Sequence, residues 1–259
     1  MRFTGGFTLV ELLVVIVIVA TLAALAYSGS KRLITNARII DSSSNLRSLA
    51  IANANYLSEY GVYCPADDQT NNRRWHGARS SSSGPFDATK GFLSPYLGNS
   101  MRVTICPLFQ AMVKGSSSFE DGSGGYGYNA AYIGGLPGGA YDKVTKIRVP
   151  QRAANVTNPS RTVMFATTAY AQATGLQEYP YCEPPFWDFG SGPSGSAPTP
   201  SVHFRANGKA LVAWCDGSVT AEAKNDSAAG DNPHGGDAEK GNLGWFGPTE
   251  NNGWWNPKN

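Results

Sequence analysis

The chain has 259 residues, enough for one globular domain of ordinary to large size beside a long helix. Its 21 basic and 19 acidic residues nearly cancel, and no basic stripe runs along it, so the composition excludes a nucleic-acid partner. Charged residues are only 15%, against 30 Gly and 16 Pro, which is the balance of a loop-rich extracytoplasmic domain and not of a helical cytosolic one.

Residues 1–6, MRFTGG, form a short polar leader. Residues 7–27, FTLVELLVVIVIVATLAALAY, are an apolar run long enough to cross a hydrocarbon core of about 30 Å as one helix. One carboxylate, Glu11, interrupts it near its start. A carboxylate well inside a spanning helix costs about 2.5–3.5 kcal/mol, so it needs a partner and a task. The plainer alternative is a signal peptide, with Arg2 as a weak basic region and Ala23-Ala24-Leu25-Ala26 imitating a cleavage site. The length of the run and the position of Glu11 argue against it.

The helix is expected to continue over 28–61. Leu46, Leu49, Ala50, Asn53, Leu57 and Tyr60 recur at three- and four-residue spacing, one face of an amphipathic helix. Gly29 offers a flexible point, and Gly61 with Pro65 marks the end. Residues 63–84 read as loop, and 92–97 as a short helix. Strands are predicted at 143–149 and 162–166 from their β-branched and aromatic content, and 179–200 as a proline-rich irregular insertion. The clearest hairpin is 209–215, then Asp216-Gly217, then 218–221, because Asp-Gly suits a tight turn. Its alternation, Ala210, Val212, Trp214 against Leu211, Ala213, Cys215, offers one face to the long helix. The domains are thus 1–6 leader, 7–27 membrane helix, 28–61 amphipathic extension and 62–259 extracytoplasmic β-rich domain.

The order Gly6-Phe7-Thr8-Leu9-Val10-Glu11 resembles the prepilin signal of type IV pilins and type II secretion pseudopilins. The resemblance implies cleavage between Gly6 and Phe7 by a prepilin peptidase/methyltransferase and N-methylation of Phe7. It implies that Glu11 pairs with a neighbouring subunit's ammonium during assembly, a pairing that also spares an unmatched charge in the membrane. The partners implied are identical or related pilin subunits and an inner-membrane assembly platform. The fold implied is α+β and pilin-like, a long N-terminal helix packed on a small antiparallel sheet with long irregular loops. The location implied is the inner membrane, single-pass, with the domain in the periplasm and the filament there or on the cell surface. Arg2 before the run, against Lys31 and Arg32 after it, opposes that orientation, but long domains translocate largely regardless of such charges. Cys106-Pro107, Tyr126-Gly127-Tyr128-Asn129, Pro159-Ser160-Arg161-Thr162-Val163 and the segment ending in Asp216-Gly217 resemble motifs of large pilin-like proteins, whose final motif is His, nine residues, then Asp-Gly. Here Ala206 stands at the His position, with nine residues between it and Asp216, and His203 is displaced from it by three positions.

Little in the sequence carries catalysis, and the chain reads as a non-enzyme. His76, His203 and His234 lie in or beside predicted loops and read as solvated; Asp67-Asp68 reads as a polar turn. The four Cys fit an oxidising compartment. Cys64 and Cys106, both before Pro in loop segments, are the expected disulfide. Asp226, Asp231, Asp237 and Glu239, among Asn and Gly, offer the oxygens that calcium takes, and the pseudopilin resemblance adds weight to Ca2+ there; a solvated loop is the other reading. Trp245, Trp254, Trp255, Trp187 and Phe186 read as core cover for the tail. The competing function is an anchored or filament-tip adhesin, binding a polysaccharide through those rings.

Overall fold

The structure, a computed structural model, describes residues 8–98, 105–113, 120–225 and 235–259, with backbone alone at 25–29. The apolar run and the periodic stretch after it form one helix, α1 (Leu9–Tyr60). It ends at Gly61, which takes φ +72° and donates its N–H to Leu57 O at 2.8 Å. Only a residue without Cβ takes that left-handed cap at no steric cost.

Contacts divide the chain into two units, Met1–Ile40 and Asp41–Asn259. In the first, every described side chain over 9–24 is exposed, although all but Glu11 and Thr21 are apolar. Among the described residues no helix is long and apolar enough to cross a membrane. The stretch 9–24 rises about 24 Å at 1.5 Å per residue, short of a core of about 30 Å.

In the second unit, α1 buries Ser42, Leu46, Leu49, Ala50 and Asn53. These positions fall at i, i+4, i+7, i+8 and i+11, one helical face. The expected continuation of that face is weaker: Leu57 is half-buried and Tyr60 exposed. Burying Leu46 and Leu49 contributes about 1.5–3 kcal/mol each.

The strands in the first half of this unit are short: β1 (Arg73–Arg74), β2 (Gly77–Ala78) and β3 (Tyr126–Tyr128), with the one-turn helix α2 (Pro107–Gln110) between β2 and β3. There follow β4 (Val163–Thr167), β5 (Tyr170–Gln172), β6 (Gly175–Gln177), β7 (Val202–His203), β8 (Lys209–Trp214), β9 (Val219–Ala223) and β10 (Leu243–Gly244). The central sheet is antiparallel in the order β3-β4-β8-β9. One face carries Tyr128 stacked on Phe165, ring centroids 4.6 Å apart. Asn53 of α1 donates to Tyr128 Oη at 2.9 Å, and Tyr126 Oη donates to Ser42 O at 3.3 Å. The other face carries Val163, Ala166, Ala210, Val212 and Trp214, in a cluster with Phe204, Trp245, Phe246 and Trp255. A register shift between Val163 and Phe165 turns them toward opposite faces.

The architecture is therefore α+β, a long helix with antiparallel sheets. Both faces of β8 are buried, and the C-terminal tail covers the side away from Phe165. Two sequence expectations need correction. Residues 143–149 are not a strand: Asp142 Oδ1 accepts from the N–H groups of Val144 and Thr145, and Lys146 takes φ 58°, so the chain curls. The helix near 92–97 shrinks to one 3-10 turn, Ser94–Tyr96.

Candidate functional site

The start of α1 is built by a reciprocal cap. Thr8 Oγ1 accepts from Glu11 N at 3.2 Å, while Glu11 Oε2 accepts from Thr8 N and from Thr8 Oγ1, both at 2.8 Å. This is a capping box: a Thr at the cap and a Glu three residues on satisfy each other's orphaned donors. The Thr-x-x-Glu spacing was legible in the sequence and was missed there. The carboxylate stands in the first turn, where the helix dipole favours an anion. It is the one charged side chain of the stretch 9–24. Gly6 and Phe7 lie outside the described residues.

The other expected sites disperse. Asp216 and Gly217 sit in the β8–β9 turn as a structural pair. Asp216 Oδ1 accepts from Ser218 N and Oγ at 2.8 and 2.6 Å, Gly217 N donates to Trp214 O, and Gly217 takes φ +85°. The loop is longer than the expected tight turn, a turn followed by a left-handed glycine.

The expected Cys64–Cys106 bridge is absent, and all four thiols are unbonded. The reason lies along α1. Cys64 N donates to Asn53 Oδ1, whereas Cys106 Sγ lies 3.4 Å from Ser42 Oγ. Eleven residues of helix, about 16 Å, separate those two anchor points, far beyond the span of a disulfide. Burial pushes the Cys106 thiol up, yet the Arg205 guanidinium and hydrogen bonds from Ser42 and Phe109 bring it below its ordinary value.

The histidine reading also fails where it is described. His76 and His203 are 0% and 1% exposed, not solvated. Burial first, then the Arg74 and Arg79 charges, hold His76 well below its usual range. Burial and the Arg205 charge lower His203 to about 2. His234 lies outside the described residues. Asp67 is not a solvated turn residue either: Arg148 Nε and Nη2 donate to it at 2.7 and 3.0 Å, and Tyr141 and Tyr181 donate as well.

Among the described residues no group of His, Cys, Asp or Glu is arranged to hold a metal. Asp226 and Asp231 lie outside the described residues. Asp237 accepts from Lys240 N at 3.0 Å and pairs with Lys240 Nζ at 3.4 Å. Trp245 and Trp255 are core, their indole N–H groups donating to Glu183 O and Cys182 O. Trp254 and Phe186 are half-buried, and Trp187 is 38% exposed.

Residues 1–27 match a family model described as the prokaryotic N-terminal methylation motif. They carry a type IV pilin-like prepilin signal, and Glu11 with its cap lies inside it. A motif of this kind marks a substrate of prepilin processing. No curated protein and no solved structure matches the chain.

Proposed function

We propose that this chain is a structural subunit of a type IV pilus-like filament or a type II secretion pseudopilus. The prepilin peptidase/methyltransferase cuts between Gly6 and Phe7 and methylates Phe7. Residues 7–27 then anchor the protein in the inner membrane and later form filament core, with 62–259 in the periplasm on the extension 28–61. The fold is in this reading pilin-like, and the chain performs no chemistry of its own.

The methylation motif over residues 1–27 carries this reading. The exposed apolar side chains over 9–24 support it, since an apolar helix surface of that length needs lipid or other helices to cover it. Glu11 fits the assembly step: its carboxylate already accepts from Thr8, and a neighbour's ammonium neutralises the charge that those neutral donors leave. The adhesin reading loses Trp245 and Trp255, which are buried, and keeps the partly exposed Trp187, Trp254 and Phe186.

The test is Glu11→Ala in cells that assemble the filament, with membrane and sheared filament fractions immunoblotted. The variant should stay in the membrane and be missing from filaments. Wild-type incorporation would leave the carboxylate without its assembly role.

A further inference from the structure

Within the unit Asp41–Asn259, a cavity of about 470 Å³ has Arg205, His203, Met112, Leu176, Lys240 and Asp237 among its lining residues. That volume suits a small organic ligand. Arg205 is only 8% exposed. Its Nη1 donates to Thr168 O at 3.0 Å and to His203 Nδ1 at 2.8 Å, and its Nη2 donates to Gly125 O. Its Nε is buried and has no acceptor among the described residues.

Two other guanidiniums, on buried Arg74 and half-buried Arg148, decide what this means. Arg74 is paired with Glu120, and Arg148 with Asp67. Arg205 has no carboxylate within ion-pair distance among the described residues. Among the described residues its hydrogen-bond acceptors are all neutral, which is costly for a buried cation. His203 accepts at Nδ1, so its neutral ring carries the proton on Nε2, a second donor beside the guanidinium. Lys240 adds little net field, because it pairs with Asp237 in the open, side chains 87% and 49% exposed. Among the described residues the lining includes the aliphatic side chains of Met112, Ala171 and Leu176 and no Phe, Tyr or Trp to stack on a sugar ring.

We propose that this cavity binds a small organic acid, its carboxylate set against Arg205 and His203 and its short aliphatic body against Leu176 and Met112. The carboxylate supplies the counter-charge that the guanidinium lacks among the described residues. A bare inorganic anion would leave the aliphatic wall uncovered. The same chemistry occurs at a free short-chain acid and at the terminal carboxylate of a peptide. This site is independent of whether the chain assembles into filaments.

Calorimetric titration of the full-length protein in detergent, against a detergent blank, tests it. Butyrate should give saturable binding, whereas butyramide and inorganic phosphate should not. An acetylated alanine dipeptide acid, run against its amide, separates the sources: binding of the dipeptide acid identifies a peptide terminus as the ligand, and butyrate binding alone identifies a free acid. Leu176→Glu places a second carboxylate on the wall of the cavity, on a strand residue that is only half-buried. It should weaken butyrate by about tenfold or more at an unchanged melting temperature. No saturable binding of any acid, equal binding of butyrate and butyramide, or unchanged butyrate affinity in Leu176→Glu would each overturn the assignment.

Discussion

Asn53 joins α1 to the rest of the second unit, and replacing it by Ala isolates that junction. The side chain is fully buried. Its Nδ2 donates to Tyr128 Oη at 2.9 Å, and its Oδ1 accepts from Cys64 N at 2.9 Å. Tyr128 Oη also donates to Cys64 O, closing a three-residue ring of bonds between helix, loop and sheet. Asn53→Ala removes two hydrogen bonds, about 1 kcal/mol each, and strands the Cys64 N–H in the core, a further cost of about 1–3 kcal/mol. Ala is the better helix former, which returns about 0.6 kcal/mol. The net loss is about 3 kcal/mol. At about 2–4 °C per kcal/mol for a domain of this size, the melting temperature should fall by about 6–12 °C. Asn55→Ala is the matched control, because Asn55 lies two residues on and is exposed. It receives the same propensity gain without the network loss, so the difference between the two variants reports the buried bonds alone. Thermal unfolding of the purified full-length protein, followed by circular dichroism, measures it. Melting of the two variants within about 2 °C of each other would refute the reasoning, since 1 kcal/mol already exceeds that shift.

Gly217→Val should lower the melting temperature by several degrees, because φ +85° costs a β-branched residue about 1–2 kcal/mol, while Asp216→Asn should be mild because Asn also makes the turn. Thiol titration in denaturant without reductant should find four free thiols, as all four cysteines are unbonded; two would restore a bridge. Stability should fall as pH drops below about 6.5, since unfolded His203 takes a proton there and the folded ring, at about 2, does not. The slope is up to about 1.4 kcal/mol per pH unit for each such ring, with His76 acting in the same direction and the raised carboxyls of Glu178 and Glu183 opposing it at lower pH. Melting curves between pH 7.5 and 5 check the slope, which should flatten in His203→Gln; an unchanged slope in that variant would remove His203 from the account.

What the sequence disclosed was local. The end of α1 at Gly61 and the β8–β9 hairpin follow from glycine's tolerance of positive φ, and the buried face of α1 follows from helical spacing. The Thr8–Glu11 cap has a spacing signature, but it sits at the edge of an apolar run whose hydrophobicity is the stronger pattern. The buried histidines were not legible, because their burial depends on contacts such as Phe109 against His203 and Phe86 against His76, which no local pattern encodes. The same holds for Arg148 with Asp67 and Arg74 with Glu120, whose partners lie 81 and 46 positions apart. The stretch 63–84 reads as loop in sequence, and it carries Arg74 and Trp75 into the core, where Glu120 accepts from the guanidinium and Pro180 O accepts from the indole N–H. The strand predicted at 143–149 failed for the opposite reason, a local Asx turn outweighing β propensity.

The central claim is that residues 1–27 are a processed prepilin signal and that the helix they begin stays on the mature protein. Intact-mass analysis with N-terminal sequencing of the membrane-extracted protein tests this most directly. The account predicts a chain that starts at N-methylated Phe7 and retains Glu11. A mature chain that starts after Ala26, with the apolar run removed, would contradict it.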